Sequence, residues 1–154
     1  MALKTDVTMD ETDWKLISQL ERDARQSFSE LGRKVGLSPP ATAERIKNLE
    51  SSGIIRGYRV EVDHEKIGYP VIAFIRLNTD GEKCRRLQRD ISDVPEIVEC
   101  HRVTGEGSYI LRAALQSVAH LEDLIDRLMA FGSPTTSIVL STTLARRSVT
   151  AALV

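Results

Sequence analysis

The sequence predicts an α+β fold in two domains, a helical N-terminal domain followed by one with a four-stranded antiparallel sheet. In the first third of the chain, apolar residues recur at intervals of three and four, as on the buried face of a helix. From Tyr69 onwards, short apolar runs typical of strands alternate with two amphipathic helical segments. The 154 residues suffice for two small domains. We place them at residues 1–60 and 70–154, joined by a linker strand or hinge at 61–69.

Capping signals mark the first two helices. The first is expected over residues 11–23, with Asp10 or Thr12 as its N-cap. The second is expected to begin near Ser27 or Ser29, and Ser27 and Glu30 have the spacing of a capping box. Gly36 is expected to end it, since glycine adopts the left-handed conformation of a helix C-terminus at least cost.

A third helix follows directly. Ser38 is a suitable N-cap, and Pro39 suits the first helical position, where no backbone donor is lost. Gly53 is expected to end this helix, and Ile54 to begin a wing strand. The second and third helices, with the short turn between them, predict a winged helix-turn-helix, which places its second helix in the major groove of DNA.

Charge is unevenly distributed along the chain. The net charge is only −1, which by itself argues against a nucleic-acid-binding protein. Residues 25–60, however, contain seven basic and three acidic residues, a local net charge of +4, whereas residues 1–24 carry −3. Such a local basic surface is the electrostatic feature expected of a helix-turn-helix. Because the local charge is modest, tight binding should require several subunits.

The candidate DNA-binding residues belong to the helix-turn-helix and the wing. Arg45 and Asn48 lie three residues apart on one helix face, and both side chains can hydrogen-bond to base edges or phosphates. The small residues at 40–42 would allow close approach to DNA, with the thymine methyl group as a contact. An ordinary solvent-exposed helix surface would account for any single one of these residues. It accounts less well for all of them occurring together. The set is Arg25, Ser27, Arg33, Lys34, Ser38, Pro39, Pro40, Thr42, Arg45, Lys47, Asn48, Arg56, Tyr58 and Arg59.

The second domain has the predicted order βαββαβ. This order is that of a ferredoxin-like fold, in which both helices cover one face of the sheet. In the first strand, Ile72 and Phe74 point away from the helices, so an apolar sheet face is left uncovered. We therefore expect dimerisation through this face. The strands are expected at 71–77, 96–103, 109–115 and 136–144, and the helices at 83–92 and 118–129.

The loop between the second and third strands has two interpretations. Gly105 and Gly107 suit a tight hairpin turn, which needs positive φ angles and nothing more. Alternatively, exposed amides and the hydroxyls of Thr104 and Ser108 bind a small polar ligand. The loop lacks the glycine pattern of a phosphate-binding loop.

Composition favours some classes of protein over others. Cys84 and Cys100 lie in apolar patterns without CxxC spacing, which predicts buried free thiols. Three scattered histidines give little support to a metal site, and no cofactor is expected. Apolar runs are shorter than the roughly 18–20 residues that span a bilayer, and the N-terminus lacks an apolar signal core. These features predict a cytoplasmic protein.

Five short motifs together resemble the Lrp/AsnC family of transcriptional regulators. They are Asp10-x-x-Asp13, Leu31-Gly-Arg-Lys-Val35-Gly-Leu-Ser38-Pro39, Arg45-x-x-x-Leu49-Glu-x-x-Gly53-Ile-Ile, Gly57-Tyr58 and Val103-Thr-Gly105. The resemblance extends from residue 10 to about residue 144. It implies a winged helix-turn-helix, a linker strand and an effector-sensing ferredoxin-like domain. It also implies homodimers that assemble into octamers or open helical assemblies and bend or wrap double-stranded DNA.

The resemblance also implies an effector site. In that family, amino-acid effectors bind between dimers near the loop that corresponds to Thr104–Tyr109, with help from the last strand. The family pattern has an aspartate where this chain has Ser108, so the carboxylate suited to an effector's ammonium group is missing unless Glu106 replaces it. An amino-acid-responsive regulator and a mainly architectural, nucleoid-organising protein both remain open. The implied effector-binding residues are Thr104, Gly105, Glu106, Gly107, Ser108, Tyr109 and Thr136.

An enzymatic alternative comes from siroheme decarboxylases, which resemble this family in both domains. Such chemistry needs convergent basic or histidine groups. His101 and Arg102 are adjacent candidates, but strand alternation points them to opposite faces. We therefore expect a nucleoid-associated, DNA-binding regulator without enzymatic activity.

Overall fold

The computed structural model describes residues 9–105 and 108–145. The chain divides into two compact units, with boundaries between Val60 and Glu61 and between Thr143 and Leu144. Among the described residues, the first unit contains three helices and the second a four-stranded antiparallel sheet with two α-helices. The predicted α+β class, a helix-turn-helix followed by a ferredoxin-like domain, is confirmed.

Each helix of the first unit begins directly after its predicted cap. Asp10 and Ser27 both form complete capping boxes, and the Ser38 hydroxyl accepts a hydrogen bond from the backbone at the third helical position. Gly36 has a φ angle of 77°, the left-handed conformation that favours glycine, and it ends the second helix. The helices are α1 (Glu11–Arg22), α2 (Phe28–Val35) and α3 (Pro39–Ser51).

A small apolar core joins these three helices. One side chain from each helix is buried at its centre, namely Leu16, Leu31 and Ile46. The α2–α3 turn packs tightly at Gly32, where a Cβ atom would lie 2.5 Å from the carbonyl oxygen of Leu37. Only glycine fits there without a shift of the backbone.

The predicted wing strand and linker strand are wrong. The structure describes all of residues 54–70 and places none of them in a strand. A strand needs a neighbour that completes its backbone hydrogen bonds, and none of the described strands pairs with residues 54–70. Tyr58 instead returns to α3, where its hydroxyl donates to Glu50 Oε1 at 2.9 Å.

The second unit has the predicted connectivity. All its strands pair antiparallel in the spatial order β2-β3-β1-β4, which leaves β2 and β4 at the two edges. The edge strand β2 carries a register shift between Ile97 and Glu99. The elements are β1 (Val71–Asn78), α4 (Gly81–Asp90), a 3-10 turn (Ile91–Asp93), β2 (Ile97–Arg102), β3 (Tyr109–Leu115), α5 (Val118–Leu128) and β4 (Ser133–Ile138).

The last strand differs most from its prediction at 136–144. It begins at Ser133, because Gly132 lets the chain pass close to β1: a Cβ atom there would lie 2.0 Å from the carbonyl oxygen of Asn78. It ends at Ile138, and Val139 still donates to the carbonyl of Ile72 near the start of β1. Apolar residues continue in the sequence after Ile138, but the pairing of β4 with β1 ends at that residue. Similarly, α4 begins and ends about two residues earlier than predicted.

The two faces of the sheet differ in burial. Ala73, Ile75 and Leu77 of β1 are fully buried in the core beneath α4 and α5. Phe74, on the opposite face, is 45% exposed. We call this side the open sheet face and define it by Ile72, Phe74, Ile110 and Arg112, which alternate with the buried residues of β1 and β3; Phe74 and Arg112 are direct cross-strand partners. None of the described helices is long and apolar enough to cross a membrane.

Candidate nucleic-acid interface

The prediction that Thr42 contacts DNA is wrong, because Thr42 is fully buried. It shares the inward face of α3 with Ile46 and Leu49. Its hydroxyl donates to the carbonyl of Ser38 at 2.9 Å, which satisfies the buried oxygen. The apolar periodicity missed this residue because a threonine that bonds to its own helix can occupy a core position.

Arg45 is half-buried and committed to the start of α1. Its Nη1 donates to Asp10 Oδ2 at 2.7 Å and to Asp13 Oδ1 at 2.9 Å. The backbone bond from Asp13 and the bond from Arg45 lower the pKa of Asp10 below its usual value. The geometry therefore does not support Arg45 as the base-reading partner of Asn48. The spacing of Asp10 and Asp13 is visible in the sequence. That Arg45 contacts both carboxylates is not, because the contact joins two separate helices.

The remaining face of α3 is exposed. Pro39 and Pro40 at its N-terminus are exposed, as are Lys47 and Asn48 further along. Ser38 is exposed too, although its hydroxyl is occupied as the cap of the helix. This surface has the narrow N-terminal end and polar side chains that suit a helix lying in a major groove.

Six of the predicted basic residues are exposed, and none of them forms a salt bridge with a carboxylate in the described part of the chain. Lys34 contacts a neutral group, the side-chain amide of Gln26. Unpaired surface cations need no rearrangement before they contact phosphates. The six are Arg25, Arg33, Lys34, Lys47, Arg56 and Arg59.

Two predicted DNA-binding hydroxyls have structural partners. The Ser27 hydroxyl donates to Glu30 Oε2 at 2.8 Å within the capping box. Tyr58 is held by Glu50, and its burial, followed by that hydrogen bond, raises its pKa to about 12. The Tyr58 ring is nevertheless about half exposed, so its edge remains accessible.

The loop residues predicted to bind an effector do not offer one common site. Thr104 and Gly105 are exposed. The Ser108 hydroxyl is occupied, because it donates to the Thr79 carbonyl at 2.8 Å and lies 3.4 Å from the Thr79 amide, which donates to it. Glu106 and Gly107 lie outside the described residues.

Tyr109 and Thr136 are placed by the sheet. Tyr109 is only 4% exposed, and its hydroxyl accepts from Gln88 Nε2 at 2.7 Å. Burial, followed by the Cys84 thiol 3.3 Å away, raises its pKa. The side chain of Tyr109 is therefore a core residue, so the predicted effector contact at Tyr109 would have to come from its backbone. Thr136 pairs with Ile75 in the sheet and is partly buried.

The cysteines and the His101–Arg102 pair do not form a further site in the described part of the chain. Both cysteines are free and partly buried, and burial raises the pKa of Cys100. Among the described residues no three His, Cys, Asp or Glu side chains come together as a metal site would require. His101 and Arg102 occupy successive positions opposite Ile110 and Tyr109, so they point to opposite faces, as expected.

Comparison with protein families finds two matches. Residues 9–50 match the AsnC-type helix-turn-helix domain, and residues 72–149 match the Lrp/AsnC ligand binding domain. Together these matches cover most of the chain and separate it close to the boundary between the two structural units.

Individual relatives agree with these matches. The chain is 42% identical over 133 residues to the HTH-type transcriptional regulator YezC of Bacillus subtilis, covering 86% of this chain and 94% of that protein. The structure of B. subtilis LrpC superposes with a TM-score of 0.86 at 34% identity, covering 91% of this chain and 100% of LrpC. A feast or famine regulatory protein of Mycobacterium tuberculosis, complexed with L-methionine, also gives a TM-score of 0.86 at 30% identity, covering 92% and 98% of the two chains.

Proposed function

This chain belongs to the Lrp/AsnC family of transcriptional regulators, and from that premise we propose that it regulates transcription by binding double-stranded DNA as a homo-oligomer. The observation that carries the proposal is the exposed face of α3 between unpaired cations. Pro40, Lys47 and Asn48 are exposed along the helix, and Arg33 and Lys34 are exposed at the end of α2. α3 then enters the major groove while the surrounding cations contact phosphates.

The proposed homo-oligomer begins with a dimer. On the open sheet face Phe74 is 45% exposed and Ile72 and Ile110 are only partly buried, so the described chain leaves apolar side chains of this face uncovered. A second copy placed on this face would remove it from water and pair two recognition helices for adjacent half-sites. Further association into an octamer or an open helical assembly would multiply the weak contact made by each +4 segment.

Two versions of this function differ in the effector. L-methionine in the complex of a relative supports an amino-acid response, with Thr104, Gly105, Glu106 and Gly107 as candidate contacts. The occupied hydroxyl of Ser108 and the buried side chain of Tyr109 favour the alternative, a mainly architectural protein without an amino-acid effector. In either version we place the protein in the cytoplasm, associated with the nucleoid, and assign it no enzymatic activity.

The test is binding to a duplex that the wild-type protein selects from a random-sequence pool. Lys47→Met should weaken binding at every sequence and reduce the salt dependence of log K by about 0.9 if it contacts one phosphate. Lys66→Met is the matched control, because Lys66 is an exposed lysine outside the helix-turn-helix. A wild-type protein that binds no duplex, or equal binding by both variants, would contradict the proposal.

The same assay separates the two versions. Titration with L-methionine and other amino acids should change the affinity or the oligomer size if the protein is amino-acid-responsive. An unchanged affinity and size across the set identifies the architectural version.

A further inference from the structure

We propose that Arg45 is a positioning residue, which fixes the recognition helix α3 against the start of α1 and does not itself read DNA. The inference rests on the proposed DNA-binding function, because that function gives the orientation of α3 its importance. It assigns Asp10 and Asp13 a joint role with Arg45 in placing the helix.

The ion pair is built onto the capping box of α1. Asp10 Oδ1 accepts from the Asp13 amide at 2.8 Å, and Asp13 Oδ2 accepts from the Asp10 amide at 3.2 Å. The other oxygen of each carboxylate accepts from Nη1 of Arg45, at 2.7 Å and 2.9 Å. All four carboxylate oxygens are therefore used, and a single nitrogen joins both members of the box to α3.

The contact between Arg45 and the two aspartates restricts the rotation of α1 against α3, which the apolar core does not. Leu16 is the fully buried side chain through which α1 meets the core, and Leu20 packs beside it. Apolar contacts are non-directional, so they tolerate small rotations of one helix against another. Hydrogen bonds weaken steeply as their angles depart from linear, and two of them on one nitrogen restrict such a rotation.

The same geometry argues against base reading. An arginine that reads guanine donates through two groups to O6 and N7. In this structure both donors of Nη1 are directed at carboxylates, which fixes the guanidinium at α1 and leaves only Nε and Nη2, on a side chain that is 35% exposed, for any base. If the guanidinium turned towards DNA, Asp10 and Asp13 would lose their counter-ion near an array of phosphates, which is electrostatically unfavourable.

The experiment is a mutant cycle in the full-length chain, using the duplex selected by the wild-type protein. Arg45→Met should weaken binding about tenfold, a coupling of ordinary size for a contact network, and leave the slope of log K against log salt unchanged. The paired substitution Asp10→Asn with Asp13→Asn keeps a capping oxygen at each position and should weaken binding to a similar extent. Combining all three substitutions should cost little more than either set alone.

Two controls account for charge alone. Lys15→Met removes a cation from α1 and Glu11→Gln removes an anion beside the box, and the two residues pair with each other at 2.6 Å. Each variant of the cycle is compared with the control that changes charge in the same direction. Arg45→Lys should restore most of the affinity, because one ammonium nitrogen can bridge both carboxylates, whereas it would not replace a bidentate contact to guanine.

Several results would overturn the inference. A fall of about 0.9 in the salt slope for Arg45→Met would identify a phosphate contact. Additive losses in the cycle, affinity equal to that of Lys15→Met, or failure of Arg45→Lys to restore binding would each exclude positioning through the two aspartates. A wild-type chain that binds no duplex would instead overturn the proposed function. The same cycle measured by thermal unfolding then tests the contact alone, with additive losses as the contrary result.

Discussion

The two units of this chain hold their shapes by different means. The first relies on local signals, since Asp10, Ser27 and Ser38 each cap a helix through residues three positions away. Its central core holds a single fully or almost fully buried side chain from each helix. The second unit relies on strands that are distant in sequence, and it has a core of twelve buried residues. A unit built from local signals can be recognised from a short stretch of sequence, whereas the other depends on which strands meet.

Their functional surfaces differ in the same way. In the first unit the six exposed cations proposed to contact DNA form no salt bridge with a described carboxylate, so each copy carries its own DNA-contacting surface. The second unit leaves the open sheet face uncovered, and its proposed partner is another copy. Three experiments can break or sharpen this contrast.

The largest effect is expected for Phe74→Asp on the open sheet face. In a symmetric dimer the substitution occurs twice. Arg112 lies opposite position 74 but already pairs with Glu99, so burying each new carboxylate should still cost about 2 kcal/mol and dimerisation should weaken about a thousandfold. Sedimentation velocity over a range of protein concentrations measures it. Leu140→Asp is the control, because Leu140 is 95% exposed. A Phe74→Asp protein as dimeric as this control would show that the open face is not the interface.

A core substitution in each unit comes next. Leu31→Ala and Leu124→Ala both remove a fully buried leucine, and each should cost about 3 kcal/mol. Because Leu31 belongs to the smaller core, its loss should unfold the first unit at ordinary temperatures while the second keeps its own transition. Differential scanning calorimetry of the two full-length variants measures both transitions. A single transition that shifts as a whole in both variants would mean that the units unfold together.

The smallest effect concerns acid stability of the second unit. Burial raises the pKa of Glu96, but hydrogen bonds from Arg127 at 2.5 Å and His120 at 2.9 Å outweigh it and lower the pKa from 4.5 to about 2. The unfolded chain therefore takes up this proton first on acidification. The stabilising contribution is complete above about pH 4.5 and is lost as the pH falls towards 2.

Glu96→Gln should flatten this acid limb of the stability curve. Urea unfolding at successive pH values measures it, with Glu122→Gln on the exposed side of α5 as the control. Equal slopes for wild type and Glu96→Gln below pH 4.5 would contradict the assigned role.

Sequence reasoning succeeded where the determinants were local. Ser27, Gly36 and Ser38 mark helix ends through their own backbone chemistry, and β3 lies at the predicted residues 109–115. It failed where the structure of a segment depends on a neighbouring segment. Residues 54–70 contain strand-forming side chains but no strand, because no strand in the described part of the chain pairs with them.

The site shows the same division. The exposure of Lys47 and Arg33 follows from helix periodicity. The burial of Thr42 and the bond between Arg45 and Asp10 do not, because each depends on where another helix lies. Whether a polar or charged side chain is free to contact DNA therefore depends on the tertiary structure as well as on helix periodicity.

The edges of the sheet determine how the protein avoids aggregation. β2 is an edge strand interrupted by a register shift and bearing Glu99, His101 and Arg102, while β4 carries Pro134 on the opposite edge. Bulges, charges and proline on edge strands prevent another chain from extending the sheet by backbone pairing. Growth into amyloid-like fibrils is thereby disfavoured, and assemblies in concentrated solution should form through the faces of the sheet rather than its edges.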